Sequence, residues 1–139
     1  MGAQADAIAA ELTRRVENGA KALVLEIVAN LIKATPVDTG WARANWIPTI
    51  GSPATGTGGD QSGAAILQFT LDQAVMYVAN NVPYINVLNY GHSKQAPALF
   101  VEFCVDQALQ TVQAKFGVDM SALRAANTNA ALAKIRRTA

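Results

Sequence analysis

A single proline does most to divide this chain. Before Pro36, apolar residues recur at three- and four-residue steps: Ile8, Leu12, Val16, Ala20, Leu23, Ile27 and Leu31. That spacing predicts one long amphipathic helix over residues 5–34. Glu11–Arg15 and Glu17–Lys21 stand four apart with the acid first, the favourable order for helix pairs. The stripe reads as core or as a helix–helix interface, and without sustained heptads it is not a free coiled coil. Pro36 ends the helix, because the residue before a proline disfavours helical geometry.

Beyond Pro36 the helical period gives way to short elements. Asp38 or Thr39 can cap a turn over 40–44. Trp46-Ile47-Pro48-Thr49-Ile50 reads as a first strand, placed at an edge or a bulge by Pro48. Residues 51–63 are Gly, Ser, Thr and Pro with little else, which predicts a mobile loop. Two further strands, 65–71 and 74–80, are expected around a tight Asp72-Gln73 hairpin. Pro83 to Tyr90 reads as a short helix closed by Gly91. A second long helix is expected over 98–116, with Phe103, Leu109, Val112 and Phe116 as core candidates and Gly117 as its stop. A last helix starts near Asp119 or Ser121 and runs toward Arg137.

The expected architecture is a single α+β domain over residues 1–139. It has a long N-terminal helix (1–34), a small antiparallel sheet of about three strands (44–80, with the loop 51–63), and a helical part (83–137). The short helix and the long C-terminal helix pack on one face of the sheet. A chain of 139 residues can build one core without metal or disulfide. Open strand edges in so small a sheet invite pairing with a neighbouring chain.

Charge is distributed unevenly. Charged residues make up 15% of the chain, and between Ala44 and Ser93 there is no Lys or Arg and only Asp60 and Asp72 as acids. A lone soluble monomer scatters charge over such a stretch, so this one points to burial by other protein chains. The net charge of +1 argues against nucleic-acid binding as the main activity. The basic cluster Lys134, Arg136 and Arg137 reads as a solvated helix terminus, where cations suit the helix dipole. The polar N-terminus reads as lacking a signal peptide, and the apolar run 22–32 is too short and too polar to span a bilayer. The single cysteine, Cys104, fits a reducing compartment, so the expectation is a protein made in the cytoplasm with no membrane partner.

Little in the chain points to chemistry. Asp38-Thr39-Gly40 matches the tripeptide of aspartic proteases, in which two carboxylates share a proton and activate water. Its context is wrong: a helix and Pro36 precede it, bulky Trp41 follows, and such proteases are nearly all-β. His92 is the only histidine, and Cys104 falls inside the second long helix as a small core residue. The glycine loop lacks the Gly-Lys-Ser/Thr ending that cradles phosphate. Trp41, Trp46, Tyr77, Tyr84 and Tyr90 read as packing or interface anchors. No catalytic, cofactor or metal residue is expected, and no enzyme.

Two phrases remain. One is Thr35-Pro36-Val37-Asp38-Thr39-Gly40, with Arg43 and Trp46 following. The other holds Tyr77, Pro83-Tyr84, Leu88, Tyr90-Gly91, Ser93-Lys94, Ala96-Pro97 and Phe100. In this order and spacing they resemble the two blocks of head–tail connector proteins of tailed bacteriophages, also called neck or tail-completion proteins. The resemblance covers about residues 31–108. Three positions depart from the family pattern: Asn89 stands where an acid is common, His92 where a hydroxyl is common, and Ala98 near a usual arginine. The resemblance implies a non-catalytic virion protein at the head–tail junction, assembled in the host cytoplasm. It implies rings, often sixfold, that contact neck, portal or adaptor, and tail-tube proteins and let DNA pass without reading its sequence. The structural and interface residues it implies are Pro36, Asp38, Gly40, Arg43, Trp46, Tyr77, Tyr84, Leu88, Tyr90, Gly91, Pro97 and Phe100. A tail-terminator ring is the nearest alternative, and a small prophage binding or regulatory module a more distant one.

Overall fold

The computed structural model describes residues 2–37, 40–72, 75–91, 98–117 and 119–138, with side chains up to residue 134. The predicted cap at Asp38 or Thr39, and His92 and Pro97, lie outside the described residues.

The long first helix, α1, spans Ala3–Ala34 and stops at Thr35, one residue before Pro36. A 3-10 turn, Arg43–Asn45, leads into β1, Ile47–Ile50. After a second 3-10 turn, Ile66–Gln68, come β2, Met76–Ala79, and the short helix α2, Ile85–Asn89. The helices α3, Phe100–Phe116, and α4, Ser121–Thr138, complete the chain. The result is a mixed fold of long helices around a small antiparallel sheet.

Among the described residues the sheet has two strands, not three. β1 pairs antiparallel with β2, Ile47 opposite Ala79 and Ile50 opposite Met76. The segment 65–71 expected as a strand forms the second 3-10 turn instead. There Ile66 and Phe69, three apart, are both buried, which is the spacing of one helical face and not of a pleat. A short apolar run does not separate these two outcomes by itself. The strand expected before the Asp72-Gln73 turn is thereby absent, and Gln73 lies outside the described residues; the partner of β2 is β1, across the long connection that holds the glycine-rich loop. Pro48 is tolerated because each strand of a two-stranded ladder is an edge.

That loop is tied to the body. Asn45 Oδ1 accepts from Gly58 N (2.6 Å), Arg43 O accepts from Gln61 Nε2 (2.6 Å), and Asn81 Nδ2 donates to Ala54 O (2.7 Å). Composition alone predicts mobility, since asparagine anchors far along the chain leave no local signature.

The main core joins Leu31 of α1, Trp46, and Phe100 and Cys104 of α3, with Val78, Ile85 and Leu88 packed against it. A second cluster of Leu109, Val112 and Met120, backed by Leu23, holds the α3–α4 junction. Gly117 closes α3 in the left-handed conformation (φ 67°), its N–H on Gln113 O. Polar contacts dock α4 on α3: Arg124 Nε to Asp106 (2.9 Å) and Asn127 Nδ2 to Glu102 O (2.8 Å).

Two expectations about apolar residues need correction. Phe103 and Phe116 are exposed: Phe103 falls off the face through which α3 packs (100, 104, 108, 109 and 112), whereas Phe116 continues the 109–112 face but stands at the last position of the helix, on the wall of an open groove. The α1 stripe is covered only toward its C-terminal end. Ile8, Leu12 and Val16 are 62%, 58% and 56% exposed, since the rest of the chain packs beside the later turns. Glu11 pairs with Arg15 as expected and also with Arg14, whereas Glu17 accepts the backbone N–H of Leu71 (3.0 Å) instead of pairing with Lys21.

Candidate functional site

The two phrases meet at one corner of the molecule, where α1 ends and α2 hands over to α3. Thr35 is the hub. It is fully buried, and all of its polar groups are engaged. Its N–H and hydroxyl both donate to Leu31 O (2.9 and 2.5 Å), closing the last turn of α1. Its hydroxyl oxygen accepts from Trp46 Nε1 (2.7 Å), and its carbonyl accepts from Arg43 Nε and Nη2 (3.2 and 3.0 Å). The helix therefore ends without a glycine: the threonine's N–H and hydroxyl both bond Leu31 O, and the arginine takes the carbonyl of the capping Thr35 itself.

Around this hub the first phrase folds back on itself. Pro36 is buried beside Thr35. Gly40 adopts φ +77° and its carbonyl accepts from Ala44 N (3.0 Å), starting the turn that carries Arg43. Asn45 Nδ2 donates to Trp41 O (2.7 Å). The second phrase then closes over the first. Asn80 Nδ2 donates to Ala42 O (2.8 Å), and the rings of Trp41 and Tyr84 meet edge to face at 5.9 Å. Tyr84 precedes α2, with its carbonyl accepting from Leu88 N (3.1 Å), while Leu88 packs into the main core. Tyr77 pairs with Thr49 in the sheet.

The handover from α2 to α3 is a second polar joint. Asn89 is buried and works in three directions: its carbonyl accepts from Leu99 N (2.6 Å), Oδ1 accepts from Val101 N (2.9 Å), and Nδ2 donates to Glu102 (3.0 Å). Glu102 is itself buried and forms an ion pair with Lys134 of α4. Asn89 thus caps the first turn of α3 from a distance. Tyr90 ends α2, its N–H on Asn86 O (3.0 Å). Gly91 follows at φ +95°, and a Cβ there would lie 3.0 Å from that of Ala98, so both conformation and space select glycine. Leu99 precedes α3 at φ 60°, a strained position for leucine, and Phe100 then enters the core at 1% exposure.

The departure at Asn89 has a physical reason within this chain. The group facing it is a carboxylate, so an amide, which can donate to Glu102, fits where an acid would repel it. Sequence reasoning missed Thr35, Asn45, Asn80, Asn89 and Glu102 as the polar frame of this corner. Four of the five are neutral residues whose role depends on partners far along the chain.

Cys104 sits under the corner, with its thiol near Asn30 O (3.5 Å), and burial pushes it up to about 11. That is an inert thiol, not a nucleophile. Among the described residues no group of three or more His, Cys, Asp or Glu side chains could hold a metal ion, and no helix is long and apolar enough to cross a membrane. Comparison with protein-family models, curated proteins and solved structures gave no match.

Proposed function

We propose that this chain is a non-catalytic structural protein of a tailed-phage virion, acting at the head–tail junction. In this reading it forms a ring, sixfold in the pattern of the resemblance, that joins portal or adaptor to tail and continues the DNA channel without reading sequence. It is assembled in the host cytoplasm. One observation carries the reading. The segments that hold the two phrases resembling the connector blocks are separate in sequence, yet they interlock through Trp41–Tyr84, 43 positions apart, and Asn80–Ala42, 38 apart. The polar groups described at that corner are spent on holding backbone in place. Such an arrangement suits a rigid joint better than a reaction centre.

The charge-poor middle of the chain supports subunit contacts, and the short two-stranded sheet has edges to offer a neighbour. In this reading the loop 51–63, tied to the body within the single chain, also reaches an adjoining subunit or the channel. Electron microscopy of particles made without the chain tests the proposal. Filled heads beside free, finished tails are expected. Joined, infectious particles would overturn it, and tails of uncontrolled length would replace it with a tail-terminator role. Removal of 51–63 should likewise block joining.

A further inference from the structure

The first four turns of α1 stand clear of the body that covers the rest of the helix. Their apolar stripe, Ile8, Leu12 and Val16, runs into a groove of about 710 Å³ between α1 and the α3–α4 junction. Phe116 and Leu123 on the far wall of that groove are also exposed. Together these five side chains present on the order of 500 Å² of apolar surface, toward the upper end of the roughly 300–600 Å² of the largest patch on a typical monomer, a size that often serves a contact. We propose that two copies of this chain pair antiparallel through this arm, the tip of each α1 filling the groove at the root of the other.

Area and shape both favour a second copy as the occupant. Two such patches facing each other bury roughly 1,000 Å², the threshold for a specific interface. The patch is self-complementary because arm and groove share one helix. With Leu12 opposite Leu12 at the twofold axis, Ile8 lies over Val16 of the second copy, and Ala5 over Gly19. At Gly19 a Cβ would meet nothing within 4 Å, so the single chain leaves the space an incoming helix would use. Shape sets the direction: only antiparallel pairing lays the tip of one α1 along the root of the other, where the groove lies. The contact is isologous and closes at two copies, so it is separate from any ring contact of the proposed function.

Sedimentation equilibrium of the full chain at about 1–100 µM tests this. A species of twice the single-chain mass is expected. Leu12→Asp and Gly19→Leu should each weaken it at least tenfold. Both positions face open space in the single chain, so circular dichroism and Tm should show both variants folded. A single-chain mass throughout the range overturns the proposal, as does a pair that neither variant weakens. A larger assembly lost on Leu12→Asp overturns the twofold pair and leaves the ring reading standing.

Discussion

The indole Nε1 of Trp46 donates to the hydroxyl of Thr35 at 2.7 Å, with both residues buried. The same hydroxyl donates to Leu31 O, so one oxygen joins the end of α1 to the entry of β1. Thr35→Val keeps the shape and deletes the oxygen, leaving the Trp46 N–H unpaired inside the core. The expected cost is about 1–3 kcal/mol. Thr35→Ser restores the oxygen and should recover most of it. Urea unfolding of the three proteins checks this: equal midpoints for Val and Ser would remove Thr35 from the role of hub.

The contact between Asn89 and Glu102 leads to an expectation of opposite chemistry. Asn89→Asp exchanges a donor for a second carboxylate beside a buried one, so the variant should lose about 1–3 kcal/mol near neutral pH. Repulsion raises the folded-state pKa of the carboxylate pair above its unfolded value. The folded state then binds more protons, and stability falls as pH rises through that interval. The loss should therefore shrink toward pH 4, in contrast to Asn89→Ala, whose loss should hold steady. Thermal unfolding of both variants across pH 4–8 measures the difference.

Some of this corner is legible in the sequence and some is not, and the division is physical. Pro36 stops α1 by sterics alone, and Gly91 and Gly117 mark helix ends through backbone conformations that other residues resist. Such effects are local, so a reader of sequence can see them. The third strand fails for the converse reason. Ala65 to Leu71 is apolar enough for a strand or a turn, and Ile66 and Phe69 choose the turn because the space beside α1 takes both from one side. Asn45, Asn80 and Asn89 look like surface residues in sequence. Asn45 and Asn89 are buried and Asn80 half-buried, each held by a backbone carbonyl or amide at least 12 residues away, so no local pattern announces them.

Gly91 supplies a test of backbone geometry. Gly91→Ala adds a methyl 3.0 Å from Ala98 Cβ at a φ of +95°, so clash and strain add. About 1–3 kcal/mol of destabilisation is expected, roughly a 3–10 °C fall in Tm for a chain of this size. Gly40 also has positive φ, but a Cβ there meets nothing within 4 Å, so Gly40→Ala should cost less. A comparison of the two melting curves separates clash from strain.

The Arg124–Asp106 pair fixes α4 on α3, and the guanidinium's hydrogen bond holds the Asp106 carboxyl below its ordinary range. A depressed carboxylate contributes stability above its unfolded pKa and loses it as pH falls through the folded value. The pair is partly exposed, so the effect is small and salt-sensitive. Amide exchange in α4 should rise below about pH 4 before exchange in α3 does. Arg124→Gln should remove that pH dependence.

Cys104 offers a reporter for the whole core. Burial pushes its thiol up to about 11, so at pH 8 thiolate is scarce as well as shielded. Iodoacetamide should alkylate it at least a hundredfold more slowly than an unfolded thiol of ordinary pKa. The raised pKa also signs a linkage: the neutral thiol's contribution is complete below the unfolded value and is lost as pH rises from about 9 toward 11. Thr35→Val acts on the same core through Trp46, so it should speed alkylation by about the factor that its loss of stability predicts, if labelling follows global opening. Labelling that stays unchanged in that variant would show that Cys104 is reached by a local opening between α1 and α3, at the Asn30–Cys104 contact, without the corner at Thr35 coming apart.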